Sequence, residues 1–474
     1  MSRILIIFII ALSFAGCAIG PDYLRPRIDT PTAFKYEPAE TARTANTEWW
    51  KQFCDPVLDQ FITEALLNNK DVKIAAARVE QAAGILMTTR SSLFPQLSYN
   101  GAGSQQRLSI TNSVPAQSDN PYTSLQALGG ATWEIDLWGR IRRLTEAARA
   151  DVLASEEARR GVVLSLVAEV ASSYIKLRAL DEQLVIAKRT LVTYSESVKL
   201  FELQYKYGQV SLMVVEQARS QYETAAVTIP QIENQIVLLE NAVSILLGRN
   251  PGTIPRGKQL QELAMPAIPA GLPSELLERR PDILQAEQNL IAANAQIGAA
   301  KALYFPSISL TGAFGGSSTN LSDLFRGPSN TWNYGGSFIG PIFTAGNIEG
   351  QVRGAEAGQR AALLTYEQTI QKAFADVENA LISSRKLGEQ LSAEQKRVTS
   401  YKEYARLARL QYTGGYAPYL NVLYAEAQLF PSELSVVQTR GSNLIAIVNV
   451  YKAMGGGWIT EAEKQTWPAA KAID

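Results

Sequence analysis

DVKIAAARVEQAAGILMTTRSSLFPQLSYNGA, residues 71–102, and DILQAEQNLIAANAQIGAAKALYFPSISLTGA, residues 282–313, are two copies of one pattern. A shift of 211 brings Asp71 onto Asp282, Ala75 onto Ala286, Phe94 onto Phe305, Pro95 onto Pro306, Ser98 onto Ser309 and Gly101-Ala102 onto Gly312-Ala313. Farther along the shift is 207, where Gln204-Tyr205 meets Gln411-Tyr412 and Gly208 meets Gly415. A fixed internal period means that one structural unit is used twice. The two halves are 57–250 and 272–455, and the Pro/Gly-rich stretch 251–271 reads as a connector.

Each half reads as helix, strand pair, long helix, turn, helix. The first helix, one run over 55–92, ends before Phe94-Pro95, and its counterpart ends before Phe305-Pro306. Proline cannot continue the helical ladder and pushes the residue before it into an extended conformation. Strand pairs follow at about 96–137 and 306–343, rich in Gly, Ser, Thr and aromatic residues, with polar loops between their members. Long helices are expected at 139–206 and 346–412, and return helices at 210–248 and 418–454.

Along the first long helix, Leu177, Leu180, Leu184, Ala187, Leu191, Tyr194, Val198, Phe201 and Tyr205 recur at alternating spacings of 3 and 4. That is a heptad seam, and it implies left-handed supercoiling against neighbours. The second long helix keeps the frame through Leu387, Leu391, Val398, Tyr401, Ala405, Ala408 and Tyr412, with Glu394 interrupting it. Such a helix is ~100 Å long at 1.5 Å per residue. Glycines 346, 350, 354 and 358 form a small-residue ridge, read as a tight helix–helix contact.

The strand pairs suit membrane hairpins, whose faces alternate between lipid and lumen, with Trp133, Trp138, Trp332 and Phe343 at the interfaces. The strands alone also fit a soluble β-domain, and the helices alone fit a solvated coiled-coil rod. Four strands cannot close a barrel, and open edges are not tolerated in hydrocarbon. If the strands span a membrane, several chains share one barrel. Two chains would give a filled interior, whereas three could leave a lumen.

The chain of 474 residues opens with Arg3, an apolar run from Ile4 to Phe14, then Ala15-Gly16-Cys17. This is the layout of a signal peptide, 1–16, and the run is too short to span a bilayer. Lys+Arg and Asp+Glu both number 45, so no field favours nucleic acid as a partner. There is no histidine, which removes the commonest general base and zinc ligand and speaks against a catalytic or metal site. Nothing calls for a cofactor. Only two cysteines occur, so Cys54 has no disulfide partner if Cys17 is acylated.

Cys17 behind Ala-Gly resembles a bacterial lipobox, although Phe14 stands where Leu is usual. That resemblance implies acylation, including palmitate, on Cys17, and a lipid-anchored segment over 17–56. Ala18 in place of Asp points to the outer membrane. GPDYLRP (20–26), WEIDLWGRIR, LLGRNPG and YTGGYAPYLNVL, together with the repeated stretches above, resemble the TolC-like outer-membrane efflux channels, specifically the NodT-type lipoprotein subgroup. The matches run in order from Cys17 to about Trp458, leaving 456–474 as a C-terminal segment.

The resemblance implies a mainly α fold with membrane β: a long-helix α-barrel plus a transmembrane β-barrel, shared by a homotrimer with four strands per chain. It implies a non-catalytic exit duct of a tripartite pump, passing drugs, toxic compounds or metals. Its partners would be a periplasmic adaptor (membrane fusion) protein, an inner-membrane efflux transporter and outer-membrane lipid. Some relatives export proteins instead, and a lipid-anchored envelope scaffold is the other alternative.

Two turns should form the periplasmic tip, where the resemblance places adaptor contact: Tyr207, Gly208 and Ser211 in the first, Gly414, Gly415 and Pro418 in the second. Gly208 and Gly414-Gly415 suit helix C-terminal positions with positive φ, and Pro418 suits the restart. The aperture would be lined by Leu420, Tyr424, Asn421, Met213 and Val214. Tyr424 stands where the family commonly has Asp, so apolar packing replaces an acidic ring, unless Glu216 or Glu426 supplies the charge. Pro230 and Pro431 are expected to bend the return helices.

Overall fold

The computed structural model describes residues 18–36, 48–107, 109, 121–268 and 273–455. Cys17, the signal segment 1–16 and the tail 456–474 lie outside the described residues. The elements run α1 Pro56–Asn68, α2 Lys70–Ser91, β1 Gln96–Gln106, β2 Tyr122–Ile135, α3 Arg140–Lys206, α4 Leu212–Leu246, α5 Pro273–Arg279, α6 Pro281–Ala302, β3 Ser307–Ser318, β4 Asn330–Ile339, α7 Asn347–Thr413 and α8 Leu420–Ala453. No described helix is long and apolar enough to cross a membrane. Contacts divide the chain into a unit of residues 1–27, 78–156 and 285–367, and a unit of 28–77, 157–284 and 368–474.

The first unit holds the sheet. Its strands lie in the order β1-β2-β3-β4, each antiparallel to its neighbour. Residues directly opposite each other share a face, so the register sorts the side chains. Leu97, Tyr99, Trp133, Ile308, Leu310, Phe314, Trp332, Tyr334 and Phe338 fall on one face together with small residues. Ser98, Asn100, Gln126, Thr132, Thr311, Asn333 and Ser337 fall on the other. An apolar face with exposed aromatics, backed by a polar face, is the pattern of a lipid-embedded barrel wall. Among the described residues, the outer edges of β1 and β4 have no partner strand.

Each strand pair is tied firmly to its helices. Asp136 accepts from the Ile141 and Arg142 amides at 3.0 and 2.8 Å, which caps the start of α3. Trp138 stacks on Phe305 with ring centroids 4.7 Å apart, and its Nε1 donates to the Pro306 carbonyl at 2.8 Å. GPDYLRP is a strap across the helices of this unit. Arg143 donates to the carbonyls of Ile19 and Gly20 and to Asp22, Asn294 donates to the Pro21 carbonyl, and Glu287 holds both Tyr23 and Arg25. A Cβ on Gly20, whose φ is +109°, would sit 2.4 Å from the Gly298 Cα, so this approach requires glycine.

In the second unit, Trp49, Phe53, Leu58, Phe61, Tyr174 and Tyr451 are among the residues that build the main core. Buried Asp55 is its polar keystone. It accepts from the Val57 amide (2.9 Å), the Tyr174 hydroxyl (2.6 Å) and the Lys258 amide (3.0 Å), which pins the connector. Much of the α3 seam is buried: Leu177, Ala187 and Phe201 are fully enclosed, whereas Leu184, Leu191 and Val198 are half-buried and Tyr205 is exposed. Glu394, which interrupts the matching seam of α7, accepts at its Oε1 from Gln390 at 3.0 Å and from Ser435 at 3.1 Å.

Two expectations need correction. The run 55–92 is two helices, because Asn69 leaves helical geometry at ψ 136°. Its side chain accepts from the Asp71 and Val72 amides and donates to the Leu246 carbonyl, a better use of a buried amide than a helix interior offers. The second half breaks at the matching place, where Arg280 precedes Pro281 and donates to the Ala453 carbonyl, Asp282 and Asp376. The glycine ridge packs against no other described element, since a Cβ on any of Gly346, Gly350, Gly354 or Gly358 would meet nothing within 4 Å. Pro230 and Pro431 lie inside α4 and α8, each of which continues through its proline.

Candidate functional site

The two turns joining α3 to α4 and α7 to α8 are built alike. In the first, the Gly208 amide donates to the Tyr205 carbonyl at 2.9 Å and the Gln209 amide to that of Gln204 at 2.9 Å. In the second, the Gly415 amide donates to the Tyr412 carbonyl at 3.0 Å and the Tyr416 amide to that of Gln411 at 2.9 Å. Both are Schellman caps, with φ +72° at Gly208 and +77° at Gly415. Both glycines face open space, so backbone conformation and not crowding selects them. Gly414 differs: a Cβ there would lie 2.9 Å from the Tyr416 ring.

Ser211 is the N-cap residue of α4, in extended conformation with no side-chain cap. Pro418 lies two residues before α8, and its carbonyl accepts from the Asn421 amide at 3.2 Å, so it shapes the approach to the helix. Tyr207 is exposed.

Of the five aperture residues, Leu420 and Tyr424 are 57% and 60% exposed and one helical turn apart on α8. Asn421 and Met213 are also exposed. Val214 is different. It packs against Phe201, Val215 and Ala218, and so belongs to the support of the turns rather than to a surface.

The acids Glu216 and Glu426, nearest the turns, are both paired. Glu216 meets Arg219 at 2.8 Å, and Arg219 also meets Glu202 at 2.9 Å, all on the surface. Glu426 is buried and bonded to Arg409. Burial pushes the Glu426 carboxyl up, and Arg409 opposes that shift only in part. Glu433, also buried, joins Arg189 of α3 at 2.9 Å to Lys402 of α7 at 3.1 Å. A groove of about 660 Å³ runs here, floored by Tyr194, Leu429 and Phe430 and rimmed by these ion pairs. Glu426 is therefore spent inside the fold and is not a free acid for a gate. Among the described residues, no group of acids, cysteines or histidines could hold a metal ion.

An aromatic knot, not foreseen in the sequence, binds the two turns together. Phe201 of α3 lies 4.0 Å from Tyr419 between ring centroids, and Tyr419 lies 5.1 Å from Tyr412 of α7. Burial pushes the Tyr419 hydroxyl up to about 12. Phe201 and Tyr412 were visible as members of their seams, near the end of one and at the end of the other, but nothing in either seam said that they meet.

The sequence pattern of the outer membrane efflux proteins matches residues 61–249 and 272–456. The toluene efflux pump outer membrane protein TtgC of Pseudomonas putida is 37% identical over 455 residues, 94% of each chain. The probable outer membrane lipoprotein SilC of Salmonella typhimurium is 35% identical over 453 residues, 94% of this chain and 96% of that one. The crystal structure of the open state of the MtrE outer membrane channel of Neisseria gonorrhoeae superposes with a TM-score of 0.84 at 32% identity, covering 93% of this chain and 99% of that one.

Proposed function

The chain belongs to the outer membrane efflux protein family, and from that premise we propose that three copies form the outer-membrane exit duct of a tripartite efflux pump. Each copy contributes four strands to one closed barrel and its long helices to a periplasmic tube. The observation that carries this is the two-faced sheet, whose edges at β1 and β4 have no partner among the described residues. In hydrocarbon every edge amide and carbonyl needs a partner, and a neighbouring copy supplies it. Three copies leave a water-filled lumen behind the polar face.

The duct carries out no reaction. Solute arrives from an inner-membrane transporter through a periplasmic adaptor, and the transporter supplies the energy. Small toxic solutes are the cargo class, in keeping with the toluene pump relative. Cys17 carries the lipid, as the lipoprotein relative SilC supports. The turns at 207–211 and 414–418 are the adaptor contact, and Leu420, Tyr424, Asn421 and Met213 line the closed aperture. With no acid among those four, packing holds the aperture shut.

Single-particle imaging of the full-length, detergent-purified protein tests the duct. A three-fold hollow tube with a detergent belt at one end is expected, and a solid rod or a particle with no belt refutes it. Conductance in planar bilayers tests the aperture: divalent cations should block weakly, and strong submillimolar block would mean that an acidic ring lines it.

A further inference from the structure

The four strands carry a single charged side chain, Glu134. It lies on the polar face, directly opposite Ser309, at the end of β2 that leads into α3. Beyond it that face carries hydroxyls, amides and small residues such as Ser98, Asn100, Thr311 and Asn333. Arg140, the first residue of α3, answers Glu134: its Nη2 donates to both carboxylate oxygens, at 2.8 and 3.0 Å. Both side chains are 34% exposed, so the pair is open to water rather than sealed in a core. The neighbouring Asp136 is engaged with the α3 amides and with Arg142 at 3.3 Å.

We propose that Glu134 and Arg140 form a charge collar at the periplasmic mouth of the barrel, and that this collar sets the charge selectivity of a strand wall that is otherwise uncharged. The proposal rests on the duct reading, which turns the polar face inward. A wall of hydroxyls and amides discriminates little between cations and anions of similar size. A paired collar keeps that neutrality at the mouth. Three copies around one axis make the collar sensitive, because losing one partner exposes three like charges at once. Their field spreads across the lumen at ~10 mM salt, where the Debye length is ~30 Å, and is largely screened at physiological salt, where it is ~8 Å.

The test uses the purified, full-length protein in detergent, with Cys54→Ser to remove the exposed thiol and a reporter cysteine at Ser309. A second reporter at Asn333 lies four residues away along the sheet, ~14 Å at 3.4 Å per residue. Rates of modification by a cationic and an anionic thiosulfonate of equal size are compared. With the native pair, the two rates should agree within about two-fold. Arg140→Gln should raise the cation-to-anion ratio about ten-fold at ~10 mM salt, and Glu134→Gln should lower it by a similar factor. The shift should shrink below about two-fold at Asn333→Cys in ~0.15 M salt. The double variant should restore a ratio near one, which separates charge from damage to the fold. Ratios that stay within two-fold in both single variants overturn the collar and leave the duct standing. If Ser309→Cys resists both reagents while Phe338→Cys on the opposite face reacts, the faces are reversed, and the duct reading falls with the collar.

Discussion

Removing the two halves of the Arg409–Glu426 pair should have unequal consequences. The Glu426 side chain is 9% exposed and that of Arg409 is 54% exposed. Arg409→Met leaves a buried carboxylate with no counter-charge. Breaking a fully buried pair in this sense costs about 3–5 kcal/mol. Because Arg409 is half in water, its attraction is screened, and about 1–2 kcal/mol is the reasonable expectation. Glu426→Gln instead leaves an arginine that water can solvate, and it removes the burial penalty on the carboxylate. Its cost should stay below about 1 kcal/mol. Local opening is read by amide hydrogen exchange of the peptide spanning 420–433 in the detergent-solubilised protein. At tenfold per 1.4 kcal/mol, exchange should quicken about 5–30-fold in Arg409→Met and less than about 5-fold in Glu426→Gln.

The pH dependence gives the sign. Burial raises the Glu426 carboxyl above its ordinary 4.5. The folded tip therefore binds a proton more readily than the unfolded chain, and between the two values stability rises as pH falls. Without Arg409 the folded value climbs further, so the defect of Arg409→Met should be largest at neutral pH and shrink toward pH ~5. A Glu426→Gln tip that opens faster than Arg409→Met, or an Arg409→Met defect that deepens on acidification, would refute the burial argument.

Gly415→Ala should cost about 1–2 kcal/mol from the left-handed backbone alone, since its Cβ meets nothing. Exchange of the 411–418 amides checks this, and an unchanged rate would mean that the cap is not needed. Cys17→Ser behind a cleavable signal should still give membrane-inserted trimers, because the strands supply the insertion energy. Complete loss of the protein from the membrane fraction would show that the lipid drives assembly.

The repeat made the fold legible, because every strong punctuation mark occurs twice. Phe94-Pro95 and Phe305-Pro306 end the helices before β1 and β3 as read, and the long helices begin and end within a residue or two of their expected bounds. What failed was local and polar: Asn69 splits a helix because its amide is worth more bridging Leu246 and the α2 amides than pointing to solvent, and periodicity is blind to that choice. Burial of Glu426 was equally invisible, since a glutamate in a helix is an ordinary surface residue until Arg409 and Tyr194 close over it. Sheet polarity was half legible. Alternation is weak within any one strand, and only register across β1 to β4 gathers Tyr99, Phe314 and Trp332 onto one face. The remaining misfits share one physical cause. Among the described residues, the edges of β1 and β4 are unpaired, a glycine face on α7 touches nothing, and Leu420 and Tyr424 are exposed, an arrangement that suits a chain with neighbours better than a lone one. One remedy answers all three: copies of the same chain, set around an axis, pair the edges, cover the glycines and bring the tip side chains together.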